Sequence, residues 1–320
     1  MTTPISRPRV NDDLRDAPTQ LFSISAYEYL KPYITSDRVV AGKITRNVFP
    51  DGERYVRINT PVRGQHVAVL GGTIDDNATL ELFDLAAALT SQGARSLTLL
   101  VPYFGYSTME REAKPGEIVT AKLRAMLLSA IPQAWENTTV VLLDLHAPGT
   151  PHYFQDHIQP VHLDARSTLK GSVLELAGGL PFVLGATDAG GAKRVQNFAN
   201  MLGVEAGFVF KRRHDGSHVS FTAMHADVRG RQVVIFDDMV RTGGSLIQAA
   251  RAYRSAGATK VSAVCTHGVL PPGALAKIQA SGTIERLIVT DSHPRAVAQA
   301  SDFLLVCTIS GMFEAWLRSR

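Results

Sequence analysis

The chain has 320 residues, of which 45% are hydrophobic and 19% charged, so it is globular rather than disordered and long enough for two domains. The formal net charge of +4 gives no indication of nucleic acid binding and suits a small anionic substrate. No apolar run is long enough for a membrane span, and the polar, proline-bearing residues 1–20 lack an apolar signal core. The sequence therefore predicts a cytoplasmic protein with a flexible tail over residues 1–20 and no membrane partner. Cys265 and Cys307 lie in apolar runs, as reduced core cysteines do.

Short apolar runs alternate with helix-length amphipathic segments, which favours a parallel α/β architecture. In the first half, strands are predicted at 66–70, 96–101 and 140–143, and helices at 78–91 and 117–129. In the second half, strands are predicted at 182–185, 232–236, 261–266 and 287–290, and helices at 192–201 and 244–255.

An internal similarity indicates two related halves. The segment LFDLAAALTSQGARSLTLLVPYF parallels LIQAARAYRSAGATKVSAVCTHG: each has an Ala-rich helix, a Gly-Ala stop and then a strand. Glycine after a helix supplies a left-handed C-cap, so α/β folds in general show part of this pattern. We expect a boundary near Asp164, giving domains over residues 21–164 and 165–320.

The segment VVIFDDMVRTGGSLIQAA, residues 233–250, is the most informative one. Asp237 and Asp238 follow a buried strand, and ligands of open α/β sheets bind beyond the carboxyl ends of strands. The turn Thr242, Gly243, Gly244 and Ser245 then opens a helix whose N–H groups can hold a phosphate. The acids would lie about one ribose away, where they could bind sugar hydroxyls or a hydrated divalent metal. The plain alternative is that the acids cap the strand and the turn merely starts a helix.

This segment resembles the phosphoribosyl pyrophosphate motif of type I phosphoribosyltransferases and of ribose-phosphate pyrophosphokinases. Further segments resemble the pyrophosphokinases in particular, in the order of that family: FPDGERYVRI, VPYFGYSTMERE, LLDLHAP, GATDAGGAKR and FKRRHDGSHVS. The resemblance implies two similar phosphoribosyltransferase-like domains, each a mainly parallel sheet flanked by helices. The first would bind ATP and the second ribose 5-phosphate, through Asp237, Asp238, Arg241 and the turn Thr242–Gly243–Gly244–Ser245.

The same resemblance implies roles for residues outside that segment. His146 and Asp188 would bind Mg²⁺, with His146 also on the ATP phosphates, although a histidine at a strand end often only bonds to backbone and an aspartate before Gly-Gly can be a plain N-cap. Lys211 and Arg213 would be catalytic residues of a mobile loop, although most charge runs are solvated faces. The ATP-binding residues would be Arg111 together with Phe49, Asp51 and Glu53. The last three lie in a Pro-Asp-Gly turn that needs no ligand to explain it.

Taken together, the resemblance implies a Mg²⁺-dependent transferase that moves diphosphate from ATP to the anomeric hydroxyl of ribose 5-phosphate. The product pair would be phosphoribosyl pyrophosphate and AMP. The adenine pocket of the family is completed by a neighbouring subunit, so a homo-oligomer with a shared ATP site is expected.

Three departures from the family pattern leave other functions open. Thr108 and Met109 replace the usual arginine and glutamine, and Arg241 stands where most bacterial relatives have aspartate. The alternatives are a pyrophosphokinase acting on a larger ribose 5-phosphate derivative such as ADP-ribose, and a catalytically silent regulatory paralogue.

Overall fold

The computed structural model describes residues 17–214 and 218–320, with side chains described outside 209–225. These residues form two compact units. The N-terminal unit comprises the described residues up to Leu142, Ala147–His162 and Ser310–Arg320. The C-terminal unit comprises Leu143–His146 and Leu163–Ile309. The domain limits inferred from the sequence stay a prediction, but Thr19 and Gln20, expected in the flexible tail, open a strand.

A six-stranded sheet forms the N-terminal unit, in the order β2-β1-β5-β6-β7-β8, and β1, β2, β5, β6 and β7 pair in parallel. Its strands are β1 (Thr19–Ser23), β2 (Val39–Ala41), β5 (His66–Leu70), β6 (Ser96–Val101), β7 (Asn137–Leu143) and β8 (Ile158–Leu163). A separate antiparallel hairpin joins β3 (Ile44–Val48) to β4 (Arg54–Ile58). The helices are α1 (Asp76–Ser91), α2 (Thr120–Ser129) and the carboxy-terminal α8 (Ser310–Arg318).

The C-terminal unit contains a seven-stranded sheet in the order β11-β10-β9-β12-β13-β14-β15, parallel except for the β10–β11 pair. Its strands are β9 (Phe182–Gly185), β10 (Glu205–His214), β11 (His218–His225), β12 (Gln232–Val240), β13 (Lys260–Gly268), β14 (Leu287–Thr290) and β15 (Leu304–Cys307). Its helices are α3 (Arg166–Ala177), α4 (Ala192–Leu202), α5 (Gly244–Ser255), α6 (Ala274–Ala280) and α7 (Pro294–Ala298). The fold class expected from the sequence, mainly parallel sheets flanked by helices, is confirmed.

The internal similarity seen in the sequence corresponds to repeated backbone geometry. Gly93, after α1, and Gly257, after α5, both have a left-handed backbone, with φ of 90° and 98°. The carbonyl of Gly93 accepts from the Gly64 amide at 2.8 Å, and that of Gly257 accepts from the Gly230 amide at 3.0 Å. Glycine adopts this conformation without the steric cost that a Cβ brings, so each helix can end sharply and feed the next parallel strand.

Tyr253 links the core of the C-terminal unit to the strand ends that carry the polar residues. It is fully buried on α5, and its hydroxyl lies 3.0 Å from the carbonyl oxygen of Ala186 and 2.9 Å from that of Gly207. A hydroxyl has one proton to donate, so these two contacts share it. Tyr253 thereby fixes the backbone directly before Thr187 and Asp188.

Among the described residues, no helix is long and apolar enough to cross a bilayer.

Candidate active site

Asp237 and Asp238 lie within β12 rather than beyond its end. The strand continues past the predicted limit at residue 236 to Val240, and Asp237 pairs in register with Cys265 of β13. Asp238 is only 4% exposed. A carboxylate so deeply buried is costly unless charged or hydrogen-bonding partners surround it. The buried carboxylate of Asp238 therefore needs partners from other elements.

Asp238 has two such partners within the C-terminal unit. Its Oδ2 lies 2.8 Å from Nδ1 of His146, and its Oδ1 lies 2.8 Å from Nη1 of Arg194 on α4. Nη2 of Arg194 also donates to the carbonyl oxygens of Leu145 and His146, at 3.2 Å each. Arg194 thus joins the Asp238 carboxylate to the backbone of the LLDLHAP segment.

The two neighbouring acids have opposite pKa shifts. Burial raises the pKa of Asp237 to about 7, and the charge of Asp238 adds to this effect, although Thr187 Oγ1 donates a 2.7 Å hydrogen bond. Burial alone would also raise the pKa of Asp238, but the His146 hydrogen bond and the Arg194 charge outweigh it and hold that pKa below its usual range. Near neutral pH, Asp238 is ionised while Asp237 carries a proton for much of the time.

Asp237→Asn is expected to change how thermal stability depends on pH. The folded-state pKa of Asp237 is raised, so its contribution to stability is complete below the unfolded-state pKa near 4 and is lost as pH rises to about 7. Asparagine does not ionise, so the stability of the variant relative to wild type should improve by about 4 kcal/mol across that interval of roughly three pH units.

Melting temperatures measured in EDTA from pH 4 to 8, without substrates, test this expectation. A difference between variant and wild type that stays constant over that range would show that Asp237 ionises normally. Asp227→Asn is the matched control, because Asp227 is an exposed acid of the same unit and lies 3.2 Å from Arg229 Nε.

The predicted phosphate turn leads directly into α5. Gly243 is the N-cap residue, with φ of 73°, and no side chain caps the helix. A Cβ on Gly243 would collide with the Ile278 side chain, so only glycine fits here. Thr242 and Ser245 are exposed on either side of the two glycines, and Arg241 is exposed directly before them. The turn therefore presents backbone N–H groups, hydroxyls and one guanidinium in the same short segment.

Asp188 has the geometry of an N-cap. Its Oδ1 accepts from the amides of Gly190 and Gly191, at 2.9 and 3.3 Å. These bonds fix the carboxylate at the carboxyl end of β9, on a strand that pairs with β12. In the described part of the chain, no group of three or more His, Cys, Asp or Glu side chains is arranged to hold a metal ion. The assignment of His146 and Asp188 as metal ligands stays a prediction.

The basic run lies inside β10 and not in the turn after it. Lys211 pairs with Phe221, and Arg213 with Val219, in an antiparallel hairpin whose register shifts between Phe210 and Lys211. The side chains of Lys211 and Arg213 lie outside the described residues. The segment that resembles a mobile catalytic loop is thus part of an antiparallel hairpin, and the catalytic roles of Lys211 and Arg213 stay a prediction.

The predicted adenine-binding residues lie in the turn of the β3–β4 hairpin of the N-terminal unit. The Phe49 amide donates to the carbonyl of Glu53 at 2.8 Å, and Asp51 Oδ1 accepts from the Glu53 amide at 3.0 Å. The Phe49 ring is 45% exposed and meets Tyr55 edge-on, with 6.0 Å between ring centroids. Hydrogen bonds within the turn hold its shape, and the Phe49 ring is exposed enough for a ligand or a second subunit to contact it.

Arg111 lies in the same unit with its side chain 81% exposed and its Nε 3.6 Å from Glu110 Oε1. Earlier in this loop, Tyr106 adopts a left-handed backbone with φ of 60°, and its hydroxyl donates to Asp76 Oδ1 at 2.6 Å. Arg124 of α2 pairs with Asp76 and stacks over the Tyr106 ring, 4.7 Å from its centroid. These contacts anchor the start of the loop, whereas Arg111 extends into solvent.

Sequence reasoning missed two residues of the acid cluster. Arg194 and Thr187 both lie in the GATDAGGAKR segment, but only Asp188 was singled out there. Their positions gave a partial signal, because Thr187 comes two residues after the end of β9 at Gly185 and Arg194 lies in the first turn of α4. Their pairing with Asp238 and Asp237 joins residues about 50 positions apart, and nothing local in the sequence indicates such a pairing.

Comparison with known proteins points to one family. A family model described as the N-terminal domain of ribose phosphate pyrophosphokinase matches residues 19–131, and one described as a phosphoribosyl synthetase-associated domain matches residues 220–315. The chain is 34% identical to a ribose-phosphate pyrophosphokinase of Methanopyrus kandleri over 79% of its own length and 84% of that protein. It is 32% identical to ribose-phosphate pyrophosphokinase 1 of Listeria monocytogenes over 88% of both chains.

A solved structure extends the likeness to the three-dimensional fold. The crystal structure of phosphoribosylpyrophosphate synthetase from Mycobacterium smegmatis aligns with a TM-score of 0.83 and 26% identity, covering 94% of this chain and 98% of that one. The similarity therefore spans both units and not just a single motif.

Proposed function

The chain belongs to the ribose-phosphate pyrophosphokinase family, and from this premise we propose that it transfers the β,γ-diphosphate of ATP to the anomeric hydroxyl of ribose 5-phosphate. The products are phosphoribosyl pyrophosphate and AMP. The relatives and the solved structure described above carry this activity in their names, and they do not favour a larger acceptor or a silent paralogue.

The 5-phosphate of the sugar is assigned to the start of α5. Helix α1 occupies the corresponding place in the N-terminal unit, but there Asp75 Oδ1 accepts from the Ala78 amide at 2.8 Å, and a second acid, Asp76, lies in the first turn. Helix α5 has neither a side-chain cap nor an acid in its first turn. Its N–H groups and dipole are therefore left for an anion, while those of α1 are satisfied by the chain itself. This contrast is the observation that carries the proposal.

The ribose hydroxyls are assigned to Asp237 and Asp238. Both acids lie on β12, a few residues before the phosphate turn, and this separation suits a five-carbon sugar phosphate. Thr187, His146 and Arg194 hold the two carboxyl groups in place before the substrate arrives. An acceptor hydroxyl then needs no reorganisation of the site to find its partner.

His146 and Asp188 are proposed to hold Mg²⁺. A carboxylate can only accept, so the ring proton of His146 is on Nδ1, which donates it to Asp238. A metal would bind at Nε2. Asp188 uses Oδ1 for backbone amides and would bind through Oδ2. Magnesium prefers few protein ligands with water and phosphate oxygens, so these two residues and a triphosphate suit it. When bound, it neutralises charge on the phosphate oxygens.

The reaction needs no nucleophile from the protein. The anomeric oxygen forms a bond to the β-phosphorus and gives up its proton. The bond between that phosphorus and the α,β-bridging oxygen breaks, and AMP leaves with the electron pair of that bond, so that its phosphate can take up the proton. Negative charge spreads over the phosphate oxygens, so we assign Lys211 and Arg213 of the β10–β11 hairpin to their stabilisation.

We assign ATP binding to residues of the N-terminal unit. The exposed Phe49 ring would stack on adenine, Asp51 and Glu53 would accept from the base or its sugar, and Arg111 would meet the phosphates. An exposed aromatic turn completes a pocket only against another surface, so we propose a homo-oligomer in which a neighbouring subunit shares this site. The two cysteines are free thiols, which agrees with the cytoplasm as the expected compartment.

The proposed activity is tested by incubating the purified protein with Mg-ATP and ribose 5-phosphate while AMP and phosphoribosyl pyrophosphate are followed together. We expect the two products in equal amounts and neither of them when the sugar phosphate or the metal is left out. A folded protein that makes no AMP under these conditions would refute the proposal.

Arg241→Asp is expected to leave turnover of ribose 5-phosphate within about tenfold of wild type. Arg241 is exposed, and the α5 amides together with the Thr242 and Ser245 hydroxyls already provide donors for one phosphate. An exposed guanidinium adds only about 1 kcal/mol, which corresponds to roughly a fivefold to tenfold effect. The value of kcat/KM for ribose 5-phosphate measures this effect. Arg251→Asp, within α5, is the control with an equal change of charge. Complete loss of turnover would place Arg241 among the essential residues.

A further inference from the structure

Asp144, two residues before His146, has an unusual backbone for a non-glycine residue. Its φ is 37°, in the left-handed region that only a few per cent of non-glycine residues adopt, although aspartate does so more readily than most. Such a conformation persists only where the surrounding structure determines it, and it is typical of functional sites. The contacts that hold Asp144 in this conformation therefore bear on the segment that presents His146.

Every polar group of Asp144 has a partner in the C-terminal unit. The amide donates to the Leu163 carbonyl at 3.0 Å, Oδ1 accepts from the Ala165 amide at 3.2 Å, and Oδ2 accepts from Thr266 Oγ1. The carbonyl oxygen lies 3.1 Å from Nε2 of His267. His267 is the one side chain among these partners that reaches the Asp144 backbone.

The contacts of His267 determine its tautomer. A carbonyl oxygen can only accept, so Nε2 carries a proton and donates it to Asp144. Nδ1 lies 2.8 Å from Ser292 Oγ, and burial lowers the pKa of His267, so the ring is neutral and Nδ1 accepts from the serine hydroxyl, whose proton is shared with the Thr266 carbonyl oxygen at 3.3 Å. With 2% exposure, the ring has no water to replace either partner. A directional chain of hydrogen bonds thus runs from Ser292 through His267 to the Asp144 carbonyl.

We propose that His267 is a positioning residue for His146: by holding the Asp144 carbonyl it fixes the left-handed turn from which His146 reaches Asp238. This proposal rests on the function assigned to His146 above. His267 touches no substrate in this assignment. It acts through Asp144 on the backbone, and Arg194 holds the other side of the same turn through the carbonyls of Leu145 and His146. Three successive carbonyl groups of this turn, those of Asp144, Leu145 and His146, therefore accept hydrogen bonds from side chains.

Replacing His267 with leucine removes the donor and keeps an apolar side chain in the cavity. We expect the Mg²⁺ concentration for half-maximal activity to rise about 10- to 100-fold, the range typical when a residue that orients a metal ligand is lost. His267→Gln should recover most of that loss, because its amide nitrogen can donate to the Asp144 carbonyl in place of Nε2.

His293→Leu is the matched control for stability. His293 is also a buried histidine of the C-terminal unit and lies close enough to His267 for the two rings to interact electrostatically, but its Nδ1 accepts from the Arg295 amide and caps α7. Both leucine variants should lower the melting temperature, and only His267→Leu should change the Mg²⁺ requirement. If His267→Leu does not fold, Ser292→Ala keeps the ring and removes the hydroxyl that sets its tautomer. It should then produce the same shift in Mg²⁺ requirement in weaker form.

The ring nitrogens of His146 give a readout that does not depend on catalysis. In protein labelled with ¹⁵N-histidine, NMR of wild type should show His146 with its proton on Nδ1, and His267→Leu should lower the population of that tautomer, with recovery in His267→Gln. This result stands even if the wild type proves to have a different activity. An unchanged His146 signal and an unchanged Mg²⁺ requirement in His267→Leu would overturn the proposal and leave His267 as a structural core residue only.

Discussion

Lys211→Ala is expected to lower kcat by about 100- to 1,000-fold while KM for both substrates changes far less. Diphosphoryl transfer develops its charge on the phosphate oxygens in the transition state, and a cation aimed there stabilises that state more than bound ATP. Removal of such a contact acts on kcat. Steady-state kinetics with each substrate varied in turn separates the two parameters.

Arg212→Ala is the matched control for this prediction. Arg212 is the neighbouring cation of the same strand, and the family resemblance assigns a catalytic role to positions 211 and 213 but not to position 212. Removing a charge from position 212 should leave kcat within a few-fold of wild type. If Lys211→Ala instead keeps kcat and raises KM strongly, the hairpin binds substrate and the catalytic assignment is wrong.

Asp238→Asn is expected to reduce kcat/KM for ribose 5-phosphate by about 100- to 1,000-fold. A hydrogen bond from a sugar hydroxyl to a carboxylate contributes about 1.5–3 kcal/mol, which is roughly 10- to 150-fold. Loss of the charge also releases His146 and Arg194 from their shared partner, and such orienting contacts are worth about tenfold or more. The first effect concerns the binding of ribose 5-phosphate, and the second concerns His146, the proposed metal ligand. The Mg²⁺ requirement should therefore rise as well.

Asp227→Asn, at an exposed acid whose partner Arg229 is two residues away, controls for loss of one negative charge from the same unit. Its activity should equal that of wild type. Asp238→Asn should also bring the pKa of Asp237 down, because the neighbouring charge that raises it is gone. An active Asp238→Asn enzyme with an unaltered Mg²⁺ requirement would mean that the acid pair is structural.

Four parallel strands agree with their predicted limits, at His66–Leu70, Ser96–Val101, Phe182–Gly185 and Leu287–Thr290. They are buried on both faces, so each is a near-continuous apolar run that the sequence displays directly. Helix α5 also has its predicted limits, because a glycine pair opens it and a Gly-containing turn ends it. For these elements, the residues within and next to each segment were sufficient to predict its limits.

Other elements carried no such signal. The β3–β4 hairpin is exposed along most of its length, and its strands show no apolar alternation that would predict them. Helix α3 has few buried positions and begins without a side-chain cap. Strand β12 was predicted to end before Asp237, since acids are unfavourable in a buried strand, but it continues to Val240. The buried carboxylate of Asp238 meets partners from other elements there.

The residue types to which we assign the chemistry are visible in the sequence without the structure. Two acids after an apolar strand, a Thr-Gly-Gly-Ser turn at a helix start and histidine and aspartate at other strand ends are visible as local patterns, because each follows from the backbone of a single element. The contacts between these residues, in contrast, are visible only in the tertiary structure. It brings His146 and Arg194 onto Asp238, gives the two acids opposite pKa shifts and holds Asp144 in a left-handed turn through His267. These effects depend on burial and on distances between residues far apart in the chain, and local sequence does not specify either.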